Sequence, residues 1–410
     1  MIPTFILFTW LWGLLSLGLM GGAIYLLWTW YQRSWVYSFS LDRFVFLPDW
    51  GLNLATTLLV VGVLLLIWAL AGGLLVRGFL RLTHRSPAGD DHPRQTRGGE
   101  VHRLRRPDGS ELQIELYGPS NGVPIIVTHG WGMNSTEWYY LKQQLTDTFR
   151  LIVWDLPGLG LSTQPANHDY SLENLARDLE AVLAFAGNRP ALLLGHSIGG
   201  MITLTFCRLF PEALGPRVAG LALVHTTYTN PVRTTQGAKL LTALERPLIV
   251  PLLHLTIWLS PLVWLMNWMS YFNGMAHLFT KQSGFAGTET GEQIAFATSF
   301  QPLASPAVLA RGMFGMLGYD ATATLPQINI PTLLVPGNLD STCKPEASER
   351  MHQSIPSAQL APLFPAKHMG LLEHNEQFAA RVRQFALVAT KTGHPIADIE
   401  ESHQEQIEMG

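Results

Sequence analysis

Two stretches of this chain carry no charged side chain, Ile2 to Tyr31 and Leu52 to Val76. A helix of about 20 apolar residues spans the hydrocarbon core of a bilayer, where an irregular backbone would leave its polar groups unsatisfied. Each stretch suffices for one crossing. The loop between them, with Arg33, Asp42, Arg43 and Asp49, joins them into a transmembrane hairpin, with helices expected at about 2–31 and 52–80. A cleaved signal peptide would need a basic leading segment and a shorter apolar core, and no Lys or Arg precedes Arg33.

Basic residues near helix ends are retained on the cytoplasmic side. Arg77, Arg81, Arg85, Arg94 and Arg97 crowd the exit of the second stretch, against Arg33 and Arg43 in the loop. The rest of the chain is therefore expected in the cytoplasm. Trp10, Trp12, Trp28, Trp30, Trp35 and Trp50 fall largely near the ends of the runs, at headgroup level. Gly18 and Gly22 have the spacing of a close helix contact, although an ordinary membrane helix has the same glycines.

A net charge of −3 with 14% charged residues leaves no broad basic surface, which excludes nucleic acid as a partner. Two cysteines, Cys207 and Cys343, are too few for a disulfide framework or a cysteine metal site. They are expected to be ordinary thiols, in keeping with a reducing compartment. No metal and no cofactor is expected.

Residues 86–99 are rich in Pro, Gly, Arg and Asp and are read as a linker. Beyond it, a hairpin turn signal at Asp108-Gly109 precedes short apolar runs alternating with helical patterns: Pro124–Thr128, Leu151–Trp154, Ala191–Leu194, Val218–Val224 and Pro331–Val335. Such runs predict an α/β fold with a mostly parallel sheet covered on both faces. The helix expected at Leu172–Phe185 is amphipathic and covers that sheet. Strand patterning lapses from about 229 to 326, and no Lys, Arg, Asp or Glu occurs between Arg246 and Lys281. The expected organisation is a transmembrane hairpin (1–85), the linker (86–99), a core (100–228 and 327–390) interrupted by a hydrophobic cap (229–326), and a disordered acidic tail (391–410).

The sequence Gly195-His196-Ser197-Ile198-Gly199-Gly200 follows one apolar run and opens a helical pattern. Glycines flank a serine there because a sharp strand-to-helix turn leaves no room for side chains and lifts the hydroxyl clear of the sheet. With these residues the chain resembles the α/β-hydrolase superfamily, in the branch of membrane-bound monoacylglycerol lipases and related esterases, over roughly Glu100 to Val388. The resemblance does not reach the hairpin.

A serine hydroxyl needs a base, and the base needs a carboxylate to fix its tautomer. In the chain order serine, acid, histidine, the turn Gly337-Asn338-Leu339-Asp340 matches the acid-bearing turn of the superfamily. Asp320 is the rival acid, at a position that resembles a structural one. His368 leads into Met369-Gly370-Leu371-Leu372-Glu373 as the catalytic histidine of the superfamily leads into its last helix, with Lys367 where a glycine is usual. His129-Gly130-Trp131-Gly132 resembles the oxyanion loop, which implies the amides of Trp131 and Ile198 as donors and a structural His129. The segment from Asp155 to Ser162 matches a further turn and is read as architecture. His225 either reaches substrate or is structural.

Pro251 and Pro261 are expected to break the cap into short pieces. Trp258 and Trp264 are candidate substrate contacts, because the apolar cap residues must line a lipid tunnel, meet the membrane or fill their own core. The expected function is a membrane-anchored serine hydrolase of lipophilic carboxylic esters, with the bilayer as its other partner. Acyl transfer or perhydrolysis by the same triad, and a non-catalytic membrane scaffold, are the alternatives. The hairpin is expected to be separable, supplying proximity to lipid and no part of the chemistry.

Overall fold

The computed structural model describes residues 3–48, 50–51, 53–84 and 92–392. Asp49, Arg85, the linker to residue 91 and the expected acidic tail from 393 onward lie outside the described residues.

Helices α1 (Pro3–Arg33) and α2 (Leu54–Thr83) pack against each other, with Leu27 seated against Gly62, where a Cβ would come within 2.9 Å of its side chain. Leu14, Ile24, Leu64 and Leu70 face outward, so apolar surface runs round both helices. A Cβ at Gly18 or Gly22 would meet nothing within 4 Å, and the close contacts lie elsewhere, at Gly13 against Met266 and at Gly73 against the carbonyls of Tyr271 and Phe272. The connection holds a small antiparallel pair, β1 (Trp35–Ser38) and β2 (Arg43–Phe46), where the sequence suggests only a loop.

The main sheet has eight strands. β3 (Glu100–Arg105) and β4 (Glu111–Tyr117) form the hairpin that turns through Asp108 and Gly109. β5 (Val123–Thr128), β6 (Phe149–Trp154), β7 (Ala191–His196), β8 (Val218–Val224), β9 (Thr332–Val335) and β10 (Ala358–Leu360) follow. Their spatial order is β10-β9-β8-β7-β5-β6-β4-β3, parallel from β10 to β6, with β4 and β3 antiparallel at one edge. Alternation along β5 divides the core: Ile126 packs with Leu193 and Leu221 on one face, while Ile125 and Val127 pack with Leu192 and Leu194 on the other. Helix α3 (Tyr139–Leu145) covers the second face, and α4 (Leu172–Phe185) and α5 (Ile198–Leu209) cover the first.

Seven helices are inserted between β8 and β9: α6 (Pro231–Thr234), α7 (Ala238–Leu244), α8 (Val250–Trp258), α9 (Ser260–Phe272), α10 (Met275–Gly284), α11 (Gly291–Ser299) and α12 (Pro306–Leu317). Pro261 breaks the chain between α8 and α9, but Pro251 does not. A π-helical turn at Glu245–Ile249, in which the Val250 amide donates to Glu245, absorbs it within a helix running from Ala238 to Trp258. Among the described residues that helix, with 6–33 and 54–83, is one of three long and apolar enough to cross a membrane. A single crossing there would separate β8 from β9, which pair directly. The chain instead turns at Leu259 and returns along α9. After β9 come α13 (Pro345–Ser354), α14 (Gly370–Glu373) and α15 (Asn375–Thr392).

The hairpin is not a detached anchor. Trp10 donates from Nε1 to Thr256 Oγ1 at 2.9 Å, Asn273 donates to Ser16 Oγ at 2.8 Å, and Ser16 Oγ lies 3.0 Å from Ser270 Oγ. Ile6 is buried in the main core cluster, and at the other end Arg81 pairs with Glu292 at 2.7 Å. The end of the linker is docked as well: Arg97 pairs with Glu115 and, at 2.9 Å, with Asp155. Against the expectation of a separable hairpin stand the polar and apolar contacts that the cap makes with α1 and α2.

Candidate active site

Ser197 sits between β7 and α5 at φ 54°, ψ −117°, a conformation that costs about 1–3 kcal/mol for a residue with a side chain. The surroundings enforce it. A Cβ on Gly195 would lie 2.3 Å from the Gly199 carbonyl carbon, and one on Gly199 would lie 2.4 Å from the Thr128 oxygen. The turn therefore closes only with glycine at both places, and it leaves the Ser197 side chain at the wall of a cavity.

Asp340 lies in the loop after β9, its Oδ1 accepting the amides of Thr342 at 2.7 Å and Cys343 at 3.0 Å. Its Oδ2 meets His368 Nδ1 at 2.8 Å, and His368 Nε2 stands 3.1 Å from Ser197 Oγ. The three side chains that the sequence singles out thus form one hydrogen-bonded line, each almost wholly buried. Burial opposes a charge on Asp340, yet the neighbouring His368 and its hydrogen bonds outweigh it and hold the carboxyl well below the usual carboxylate range. Burial lowers His368 to about 4, only partly offset by Asp340. A neutral imidazole with Nδ1–H on a carboxylate presents a free Nε2 lone pair to the hydroxyl, the state that can accept its proton.

The rival Asp320 is engaged elsewhere, accepting from Thr322 N at 2.8 Å and Thr229 Oγ1 at 3.2 Å. Lys367 donates from Nζ to the Gln282 carbonyl at 2.6 Å, and Met369 N donates to Gly284 at 2.9 Å. The loop that bears His368 is thereby tied to the end of α10, and the lysine that stands in place of a glycine makes one of the ties.

Trp131 and Gly132 line the cavity beside Ser197. The Trp131 indole is anchored by a 3.0 Å bond from Nε1 to the Leu309 carbonyl, and Ile198 is the first residue of α5, where amides have no partner within the helix. His129 is fully engaged: Leu156 N donates to its Nε2 at 3.0 Å, so Nδ1 carries the proton and donates to the Gly130 carbonyl at 2.8 Å. Asp155 accepts Ser135 N and Leu161 N, closing the following turn.

Of three further candidates, His225 takes the structural one of its two expected roles, and Trp258 and Trp264 lie where sequence reasoning does not put them. His225 is buried behind His368, with Nδ1 3.5 Å from Asp340 Oδ2 and its ring against Gly370. It follows β8 at φ 44° and does not line the cavity. Trp258 is 78% exposed, and Trp264 points outward with Nε1 bonded to the Pro302 carbonyl at 2.8 Å. Neither lines the cavity. Their reading as substrate contacts is corrected, because α8 and α9 bury Leu253, Val263 and Met266 and must turn the opposite faces out.

Two other residues carry no sequence signal. Glu137, in the 3-10 turn Ser135–Trp138, accepts Gly130 N at 2.9 Å and sits 2.5 Å from His196 Nδ1. It ties the loop of Trp131 to the turn of Ser197. Phe8, from α1, is the other: it lines the same cavity, which measures about 350 Å³.

Residues 125–381 match the alpha/beta hydrolase family. A pimeloyl-[acyl-carrier protein] methyl ester esterase of Aeromonas salmonicida is 27% identical over 285 residues, covering 67% of this chain and 98% of that protein. Among solved structures, a thermophilic esterase from Thermogutta terrifontis superposes with a TM-score of 0.57 at 24% identity, over 71% of this chain and 100% of its own. An esterase from a Rhodococcus species gives 0.58 at 23% identity, over 70% and 98%. These two likenesses are of fold.

Proposed function

Because this chain belongs to the alpha/beta hydrolase family and is an esterase-type member of it, we propose that it is a membrane-anchored serine hydrolase that cleaves lipophilic carboxylic esters through an acyl-enzyme on Ser197. The observation that carries the reading is the line Ser197–His368–Asp340 at the wall of a cavity lined in good part by Phe8, Trp131, Phe279 and Phe300.

Ser197 Oγ attacks the ester carbonyl while His368 Nε2 takes its proton. Asp340 holds the Nδ1–H and favours the imidazolium that forms. The amides of Trp131 and Ile198 receive the oxyanion, a contribution of about 3–4 kcal/mol per donor where it has been measured. Collapse expels the alcohol, which takes the proton from His368. Water then repeats the sequence on the acyl-enzyme and frees the acid.

The hairpin α1–α2 spans the membrane, with the excess of arginines after α2 keeping the hydrolase domain in the cytoplasm. The turn between α8 and α9, with Trp258 and Leu262 exposed beside it, dips into the near leaflet. A fluorophosphonate, which loses fluoride to an activated serine, tests the reading. The full-length protein should be labelled on Ser197 and lose ester hydrolysis in step; hydrolysis that survives complete labelling contradicts it.

A further inference from the structure

One wall of the cavity that reaches Ser197 comes from outside the hydrolase domain. Phe8, in the second turn of α1, lines it with Phe279 of α10, and the two rings stand 4.9 Å apart. Counting about 20 residues back from Tyr31, at the far aromatic end of α1, puts the near edge of the hydrocarbon close to Trp12, about one helical turn from Phe8. From Leu11 on, α1 turns large apolar side chains outward. The helix that would cross the bilayer thus begins as a piece of the cavity.

Phe8 is held in that place by its neighbours. Ile6 is locked in the core, and Trp10 is bonded to Thr256. The two rings are in contact, so opening the seam between them falls to the two side chains and to α10, with α1 held at Ile6 and Trp10. One other part of the wall is polar: Thr235 Oγ1 and Gln236 N both donate to the Ser341 carbonyl, and Gln236, Ser341 and Thr342 line the cavity. A cavity with one aromatic, membrane-proximal section and one polar section fits an amphiphile.

We propose that the seam between α1 and α10, closed here by the contact of Phe8 with Phe279, opens as a lateral portal, through which the hydrocarbon chain of a bilayer-resident ester lies while its carbonyl sits at Ser197, and that Phe8 is a specificity-determining contact for that chain. The proposal rests on Ser197 being the nucleophile, as set out above. The substrate class it names is a long-chain amphiphilic ester held in the leaflet, with its polar alcohol portion toward Gln236 and Thr342.

The test uses full-length protein in vesicles with p-benzoylphenylalanine in place of Phe8, Phe279 or Gln236, each variant labelled with ethyl or hexadecyl fluorophosphonate and then irradiated. Labelling of Ser197 by the ethyl probe certifies that a variant is folded, and the Phe279 variant serves if the one at position 8 is not. The hexadecyl adduct should cross-link to position 8 or 279 and not to position 236, and the ethyl adduct to none. Capture of the hexadecyl chain at position 236 alone, or at none of the three, overturns the portal while leaving Ser197 as nucleophile. Absence of Ser197 labelling in the native protein removes the catalytic reading itself and the portal with it.

Discussion

Trp10 and Thr256 are hydrogen-bonded at 2.9 Å although 246 residues separate them, and the bond joins α1 to the cap. Next to it, Ser16 meets Ser270 and Asn273, and Gly13 accommodates Met266. Removing Met1 to Arg85 would remove these contacts and expose the face of α9 that they cover, Met266 included. Apolar surface newly exposed to water costs about 25 cal/mol per Å².

The truncated protein is accordingly expected to aggregate or to lose most of its hydrolysis of short soluble esters. Size-exclusion chromatography and turnover of an acetate ester check this. A monomeric truncated protein with near-native turnover would show that α1 and α2 only anchor.

Topology is tested with single cysteines, since Cys207 and Cys343 are both buried and add little background. A cysteine in place of Asp42 should react with an impermeant thiol reagent on intact cells, and one in place of Gly98 only after lysis. The reverse pattern would place the hydrolase domain outside.

His368 is lowered to about 4, chiefly by burial, so its imidazole is neutral at and above neutrality. Protonation removes the lone pair that Ser197 needs, so kcat/KM should be flat near neutral pH and fall about tenfold per unit only below about pH 4. The same shift acts on stability. An unfolded histidine titrates near 6.5, so between about 6.5 and 4 the unfolded chain binds more protons, and this group destabilises the fold as pH falls through that window. A pH–rate profile with its midpoint at about 6.5 would show that burial does not lower His368, and would leave its role as base untouched.

Glu137 holds Gly130 N–H and faces His196, and acts on the reaction only through the loop and turn it joins. Glu137→Ala should lower kcat by up to about 10²-fold with little change in KM, as expected when an oxyanion donor moves, and Glu137→Gln, which keeps an acceptor, should lose less. Steady-state kinetics beside a thermal melt decides it: a lower Tm with unchanged kcat would make Glu137 a structural residue only.

Much of this arrangement is legible from local pattern. The glycines around Ser197 announce a turn that only they permit, and the apolar runs at 124–128 and 191–194 lie within strands β5 and β7. Asp340 and His368 follow in the order that the superfamily implies, and their side chains meet. The two charge-free stretches are helices over 3–33 and 54–83.

Contacts between distant segments are not legible in this way. Nothing in the residues around Trp258 and Trp264 says which face of α8 and α9 is turned toward α1, so hydrophobicity alone suggests the cavity for two tryptophans that lie outside it. Phe8 is one apolar residue within a long apolar run, and only the docking of the cap makes it a cavity wall. Pro251 reads as a helix breaker until the π turn before it shows how the backbone accommodates it.

In the mechanism proposed above, Ser197 is acylated with His368 as its base. Initial rates of ester hydrolysis by full-length protein and by Ser197→Ala, with folding checked by the melting curve, test it most directly. A loss of roughly 10⁴-fold or more in kcat is expected, and a His368→Ala, Ser197→Ala double variant should be no worse than either single one. A Ser197→Ala protein that turns over esters within a few-fold of the native rate would contradict it.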